Sequence, residues 1–238
     1  MDSNVVVLPD TLQLWFARVS DSAMNAEQSI RNLFSDSEKN RLKSIKSNNK
    51  RGEYLLSRAL MRHALSQHFQ LQEKEWQFFE RFDSAPVVCN LPKNTYHSLS
   101  HSDGLICFAL SDCPLGIDIE TTNKQRNYLA LAEVFMNDKE LDHLAQNEST
   151  QDDQFYRTWC AKEAYFKALP ATEQAITFLN QLSYSALIKN LTEWRLVEGK
   201  IDTCRFAAVM NNKPRTINQF YFLAKDNWSH SFCGLEIE

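Results

Sequence analysis

An α+β fold with mainly antiparallel sheets is predicted by the way helical and extended patterns fall in blocks along the chain rather than alternating one by one. Two further observations point the same way. From Leu182 onward the chain reads as short apolar runs separated by polar or Asn/Asp/Gly-containing turns. The 238 residues are 43% hydrophobic with only 5 Gly and 6 Pro, enough to bury a large core as one long domain or two small ones. The order strand, helices, strands occurs on both sides of about residue 114, which divides the chain into an N-terminal lobe, 1–113, and a C-terminal lobe, 114–238.

Val5 to Leu8 and Leu12 to Ala17 are strand material. Ser35 to Ile45 predicts a helix, and Glu53 to Gln70 a longer one with Leu56, Leu60 and Ala64 at helical spacing. Leu105 to Leu110, the turn Ser111 to Pro114, and Leu115 to Ile119 predict two neighbouring strands, with His101 at one end and Glu120 at a sheet edge. Tyr128 to Ala145 and Asp152 to Leu169 read as helices. Strands then follow at Leu182 to Ile188, Trp194 to Val197, Cys204 to Met210, Gln219 to Ala224 and His230 to Ile237.

The amino terminus lacks basic residues and leads into only a short apolar run, so neither a signal peptide nor a membrane span is expected and the cytoplasm is the default compartment. The six cysteines form no Cys-x-x-Cys pair and no cluster with zinc spacing, which predicts reduced thiols rather than a thiolate site. Cys160 reads as a buried thiol, not a nucleophile. The formal net charge of −4 hides a basic segment: residues 39 to 62 carry Lys39, Arg41, Lys43, Lys46, Lys50, Arg51, Arg58 and Arg62 against the single acid Glu53. Such a segment in an acidic protein is either a solvated helix face or a phosphate-binding one. Neither aromatics nor glycines interleave with it, and no nucleic-acid motif is present, so no nucleic acid is expected as partner.

Two segments carry chemistry. In Leu115-Gly116-Ile117-Asp118-Ile119-Glu120, alternation turns Asp118 and Glu120 to one strand face and Ile117 and Ile119 to the other. Two like charges side by side need a cation. Along Asp152 to Leu169, Phe155, Trp159 and Phe166 share a helix face that also carries Glu163, and an unpaired ionised acid among aromatics costs several kcal/mol unless it is protonated or meets a positive partner. Mg²⁺ suits the acids, because it is a hard cation that combines carboxylates with waters and substrate phosphates. Lys162 and Lys167 suit phosphate as point charges. Taken alone, Asp-x-Glu after a strand is most often a solvated turn, and Lys-Glu-x-x-x-Lys a surface ion-pair ladder. Ser100-His101-Ser102-Asp103 sets hydrolase residues side by side, but a triad is assembled by geometry and no Gly-x-Ser-x-Gly elbow occurs.

Gly116-Ile117-Asp118-Ile119-Glu120, followed by Phe155-x-x-x-Trp159-x-x-Lys162-Glu163-Ala164-x-x-Lys167-Ala168, resembles the 4′-phosphopantetheinyl transferases, and the length resembles their large two-lobed, surfactin-synthetase-activating class. The resemblance extends to Ser100-His101-Ser102 and loosely to the helix from Arg51 to Phe69, covering about residues 30 to 170. It implies two pseudo-symmetric lobes with coenzyme A in the cleft between them. It also implies Mg²⁺-dependent transfer of the phosphopantetheine arm to a serine of an apo acyl or peptidyl carrier protein, with release of adenosine 3′,5′-bisphosphate. By the same resemblance Asp118, Glu120 and Glu163 would hold the metal, Glu163 would accept the serine proton, and Lys162 and Lys167 would contact the pyrophosphate. Ser100 and His101 would bind phosphate oxygens, and Lys39, Lys43 and Arg51 the 3′-phosphate. The protein is expected to act as a monomer. Where many family members carry Gly-Lys-Pro, this chain has Ser84-Ala85-Pro86, and after Lys167-Ala168 it has Leu169-Pro170-Ala171-Thr172 in place of glycines. The alternative on the same residues is a Mg²⁺-dependent phosphohydrolase or nuclease.

Overall fold

A computed structural model describes residues 10–19, 27–81, 84–122, 127–146, 151–174, 177–223, 229–231 and 236–237. Eleven strands form three sheets among them. The first sheet joins β1 (Thr11–Arg18), β4 (Tyr96–Ser102), β5 (Leu105–Ser111), β9 (Thr216–Leu223) and β10 (Ser229–Ser231) in the order β10-β9-β1-β5-β4. The second joins β6 (Leu115–Thr121), β7 (Arg195–Ile201), β8 (Cys204–Met210) and β11 (Glu236–Ile237) in the order β11-β7-β8-β6. A hairpin of β2 (Phe78–Arg81) and β3 (Ser84–Val88) makes the third. All pairings are antiparallel except β1 with β9, whose register sets Thr11 opposite Thr216. The fold is α+β, as the block pattern predicts. The five-stranded sheet takes strands from both sides of residue 114.

Side-chain alternation explains the layering. On β1, Leu12, Leu14 and Phe16 enter a core shared with Ile117, Ile119, Phe206 and Ala208 of the second sheet, while Trp15 and Ala17 pack against Leu56 and Leu60 of helix α3 (Asn48–His68). The second sheet in turn turns Ala207 and Val209 to helix α6 (Gln151–Ala168), which meets them with Ala161, Ala164 and Ala168. The order of layers is therefore helix, sheet, sheet, helix. Small residues on α6 let the helix lie close to β6, and Gly116 is where the approach is tightest: a Cβ there would strike the Ala164 carbonyl and come within 2.6 Å of the Ala168 nitrogen. Gly116→Ala is expected to cost about 1–3 kcal/mol or more, because the obstruction is backbone and cannot rotate away. A urea midpoint unchanged from wild type would show that helix and strand are not locked at this point.

Before α3 come α1 (Glu27–Arg31) and α2 (Asp36–Ser44). Ser35 and Glu38 close a reciprocal capping box at the start of α2, and α3 begins at Ser47, whose side chain accepts from the Lys50 amide. Both helices were legible, though α3 starts five residues earlier than its apolar spacing indicates.

Four expectations need correction. Tyr128 to Ala145 is two helices, α4 (Tyr128–Phe135) and α5 (Asp138–Gln146), because Asn137 and Glu140 form their own reciprocal cap, Asn137 Oδ1 accepting from the Glu140 amide at 3.1 Å and Glu140 Oε2 from the Asn137 amide at 3.0 Å. Leu182 to Ile188 contains no strand. Ser183 caps a helical turn, α8 (Tyr184–Ile188), after the short α7 (Thr177–Gln181). The strands around 105–110 and 115–119 are not hydrogen-bonded neighbours: β5 pairs with β1 and β4, and β6 pairs with β8. The tail read as one strand over His230 to Ile237 gives β10 and β11 to different sheets. Val5 to Leu8 and Cys233 lie outside the described residues. Among the described residues no helix is long and apolar enough to cross a membrane.

Candidate active site

The site forms where three elements converge on the edge of β6. The strand is the last of its sheet, and its alternation puts Gly116, Asp118 and Glu120 on the face toward α6 while Ile117 and Ile119 enter the core. With the helix held close at Gly116, Lys167, one turn beyond Ala164, reaches Asp118. Its Nζ donates to Asp118 Oδ1 at 2.7 Å and to Ser100 Oγ at 3.1 Å. Ser100 also donates to Asp118 Oδ1 at 3.0 Å. The other Asp118 oxygen, Oδ2, is buried and has no hydrogen-bond partner.

Glu163, on the same helix, is half-buried. Its carboxyl is pushed above the usual glutamate value, first by burial and then by the negative charge of Asp118, with Lys167 opposing and Glu120 adding to the rise. Asp118, Glu120, Glu163 and Lys167 thus share one electrostatic neighbourhood. The aromatic stripe is also present: Trp159 and Phe166 pack on the cluster that holds Phe135 and Phe155.

A cavity of about 570 Å³ opens beside these groups. Its lining includes Ser100, Asp118, Glu120 and Lys167. One face of α3 supplies Lys50, Glu53, Tyr54, Ser57 and Arg58 to the wall, with Arg41 of α2, Glu80 and Arg81 of β2, and Ala85 and Pro86 of β3. His101, more than half exposed, also lines it, with its Nδ1 3.5 Å from Glu53. Ala85 and Pro86 therefore belong to the wall, and Arg81 of the adjoining strand lines it too.

Several expected residues are placed elsewhere. Lys162 is fully buried and does not line the cavity: its Nζ donates to the carbonyl of Phe135 at the end of α4 at 2.7 Å and to Glu140 at 2.5 Å. Burial lowers the ammonium's pKa, with Glu140 opposing. The lysine fastens α4 and α5 to α6. Arg51 is held by Glu27 and by the Leu42 carbonyl at 3.0 Å, and Lys39 by Asp36 at 3.5 Å, both outside the cavity lining, as is the exposed Lys43. Half of the basic segment is thus paired within the fold, since Arg58 also pairs with Glu80 at 2.9 Å and Arg62 with Glu38 at 2.7 Å.

Sequence reasoning missed Arg41, Lys50, Arg58 and Arg81 as cavity residues. A partial signal existed for two of them: Lys50, Tyr54 and Arg58 repeat at four-residue spacing, a series that Arg62 continues into the core and that Arg51 does not join. Cys160 is inert, its thiol pushed well above the ordinary value by complete burial.

Comparison with known proteins bears on this site. Residues 114–210 match the family model described as the 4′-phosphopantetheinyl transferase superfamily. The chain is 32% identical over 114 residues to the 4′-phosphopantetheinyl transferase Sfp of Bacillus subtilis (strain 168), covering 48% of this chain and 50% of that protein. It is 34% identical over 114 residues to psf-1 of Bacillus pumilus, with 48% of each chain covered, and 31% identical over 118 residues to gsp of Aneurinibacillus migulanus, with 48% and 47% covered. The match spans about half the length of these curated relatives. The stretch that matches the family model holds β6, α6, Asp118, Glu120, Glu163 and Lys167, so the acids and the lysine of the site lie in the part of the chain that is similar to the 4′-phosphopantetheinyl transferase superfamily.

Proposed function

We propose that the protein transfers the 4′-phosphopantetheine arm of coenzyme A to a serine of an apo-carrier protein, with Mg²⁺, releasing adenosine 3′,5′-bisphosphate. The observation that supports this reading is one cavity lined by both kinds of group: Asp118, Glu120 and Lys167 together with the cationic side chains of Arg41, Lys50 and Arg81, and with Arg58 paired to Glu80. A ligand with several phosphates, such as coenzyme A, suits such a lining better than a single phosphate does.

Among the described residues no three His, Cys, Asp or Glu side chains stand together as a finished metal site. The donor set nevertheless fits a hard cation: Asp118 keeps a buried oxygen without a partner, and the charges of Asp118 and Glu120 both push the Glu163 carboxyl upward, a repulsion that a divalent cation relieves. Asp118, Glu120 and Glu163 would hold Mg²⁺, which would neutralise charge on the pyrophosphate as the leaving oxygen departs. Glu163 would also take the proton from the carrier's serine hydroxyl. The serine oxygen forms the new P–O bond, and the old one breaks toward adenosine 3′,5′-bisphosphate. Lys167 is placed to exchange its bond to Asp118 for one to a phosphate oxygen, and His101 is exposed enough to reach another.

Incubation with coenzyme A, Mg²⁺ and a panel of apo-carrier proteins is expected to raise the mass of at least one carrier by one phosphopantetheine group, and replacing its acceptor serine with alanine is expected to prevent the gain. Nucleotide released with no transfer to any carrier would favour a phosphohydrolase instead.

The cationic wall makes a separate prediction. Coenzyme A should bind more tightly than 3′-dephospho-coenzyme A, and Lys50→Ala or Arg41→Ala should reduce that preference about tenfold, as expected for losing one charge-assisted contact. Lys39→Ala, outside the cavity, should leave it unchanged. Calorimetry at fixed salt gives the comparison, and equal affinities for the two ligands in the wild type would remove the wall's assigned role.

A further inference from the structure

The edges of the two main sheets meet without a backbone ladder. β4 ends one sheet and β6 ends the other, and the amides along β6 are met by serine hydroxyls instead. Ser98 Oγ accepts from the Ile117 amide at 3.1 Å, Ser100 Oγ from Ile119 at 3.3 Å, and Ser102 Oγ from Thr121 at 3.1 Å. The spacing is regular, each serine meeting the amide 19 positions further along the chain. All three serines are buried. A serine hydroxyl has one proton and two lone pairs, so each can accept from β6 and still donate once. Ser100 donates to Asp118 at 3.0 Å and Ser102 to Glu120 Oε2 at 3.3 Å, whereas Ser98 contacts no carboxylate.

We propose that Ser100 and Ser102 are positioning residues, each holding one amide of β6 and the neighbouring carboxylate at once, so that the seam between the sheets fixes how Asp118 and Glu120 present their oxygens to a divalent cation. This rests on the cation reading of the site given above. The reason such a device is needed lies in strand geometry: a shift of one residue along the edge turns every side chain to the opposite face, carrying both acids away from the cavity and the isoleucines out of the core. Pinning alternate amides prevents the slip. The donated hydroxyl protons add a second constraint, as outer hydrogen bonds do for metal-binding carboxylates generally.

Ser98 provides the internal control, since it makes the same kind of bond to β6 but touches neither acid. Mn²⁺ affinity of the full chain, measured by calorimetry alongside the thermal midpoint, separates positioning from mere support of the fold. Ser98→Ala and Ser102→Ala are expected to lower the midpoint to a similar extent, because each removes one seam bond. Only Ser102→Ala should weaken Mn²⁺ binding, by about tenfold or more, and Ser102→Thr, which keeps the hydroxyl, should restore it. If Ser102→Ala does not fold, Ser102→Cys, a poor donor of similar size, is measured in its place by the same criteria. Equal loss of affinity in the 98 and 102 variants, or no loss at 102, overturns the proposal while leaving the cation site standing. Failure of the wild-type protein to bind Mn²⁺ at all overturns the cation reading itself, and the positioning role with it.

Discussion

Asp118→Asn, Glu120→Gln and Glu163→Gln are each expected to lower the rate of carrier modification by about 10²–10³-fold or more, the range seen when one electrostatic contact to a developing charge is removed. The three act on one neighbourhood, so a double variant should be little worse than the poorer single one. Initial rates at saturating Mg²⁺, followed by carrier mass, give the test, and near-normal rates in all three would refute the assignment. Stability should respond in the opposite sense at Glu163. The folded protein holds the Glu163 proton more tightly than the unfolded chain, so from the ordinary glutamate value of 4.5 up to the raised folded value, stability falls as pH rises. Glu163→Gln cannot ionise and should lose that dependence, leaving the variant inactive yet at least as stable at neutral pH. An inactive variant that is also markedly less stable would mean that the carboxylate supports the fold rather than the chemistry.

The second large effect lies away from the acids, at Arg62. Its guanidinium forms two bonds to Glu38, at 2.8 and 2.7 Å, with both side chains almost completely buried. It also sits 4.3 Å from the centre of the Phe78 ring. Glu38 is doubly engaged, since its Oε2 accepts from the Ser35 amide and closes the cap of α2. Arg62→Ala strands that carboxylate and is expected to cost about 3–5 kcal/mol, read from urea unfolding midpoints. Glu38→Gln combined with Arg62→Met should recover a good part of the loss, because what is expensive is the unpaired charge rather than the absence of the pair. An alanine variant with wild-type stability would mean that water reaches the site.

Apolar periodicity made most of the frame readable. The Ile117/Ile119 alternation, the helices at 36–44 and 48–68, and the long helix at 151–168 all follow from where hydrophobic groups fall, and the same alternation put Asp118 and Glu120 on one face. What stayed hidden is polar and buried. β4 carries Ser98, Ser100 and Ser102 inward, a pattern that resembles a loop when hydrophobicity is the guide, although hydroxyls there take the place of a ladder. Lys162 and Lys167 read alike as phosphate ligands because both lie beside Glu163 in sequence. The difference comes from partners far away: a helix end at Phe135 and the acid Glu140 for one, β6 for the other. Within the basic segment spacing alone does not tell wall residues from internally paired ones, since Arg58 and Arg62 both continue the four-residue series from Lys50 and both are paired with acids. The break between α4 and α5 depends on one asparagine cap, a signal weaker than the apolar pattern running across it.

The parallel pairing of β1 with β9 has a consequence for biosynthesis. β1 leaves the ribosome long before β9, its permanent neighbour, so until β9 is made β1 offers an unfilled backbone edge next to aromatic side chains. Contacts so distant along a chain are slow to form, and an open edge is a site for pairing with the wrong molecule. Yield in a heterologous host should therefore depend more on chaperone supply and growth temperature than the finished protein's resistance to denaturant would indicate.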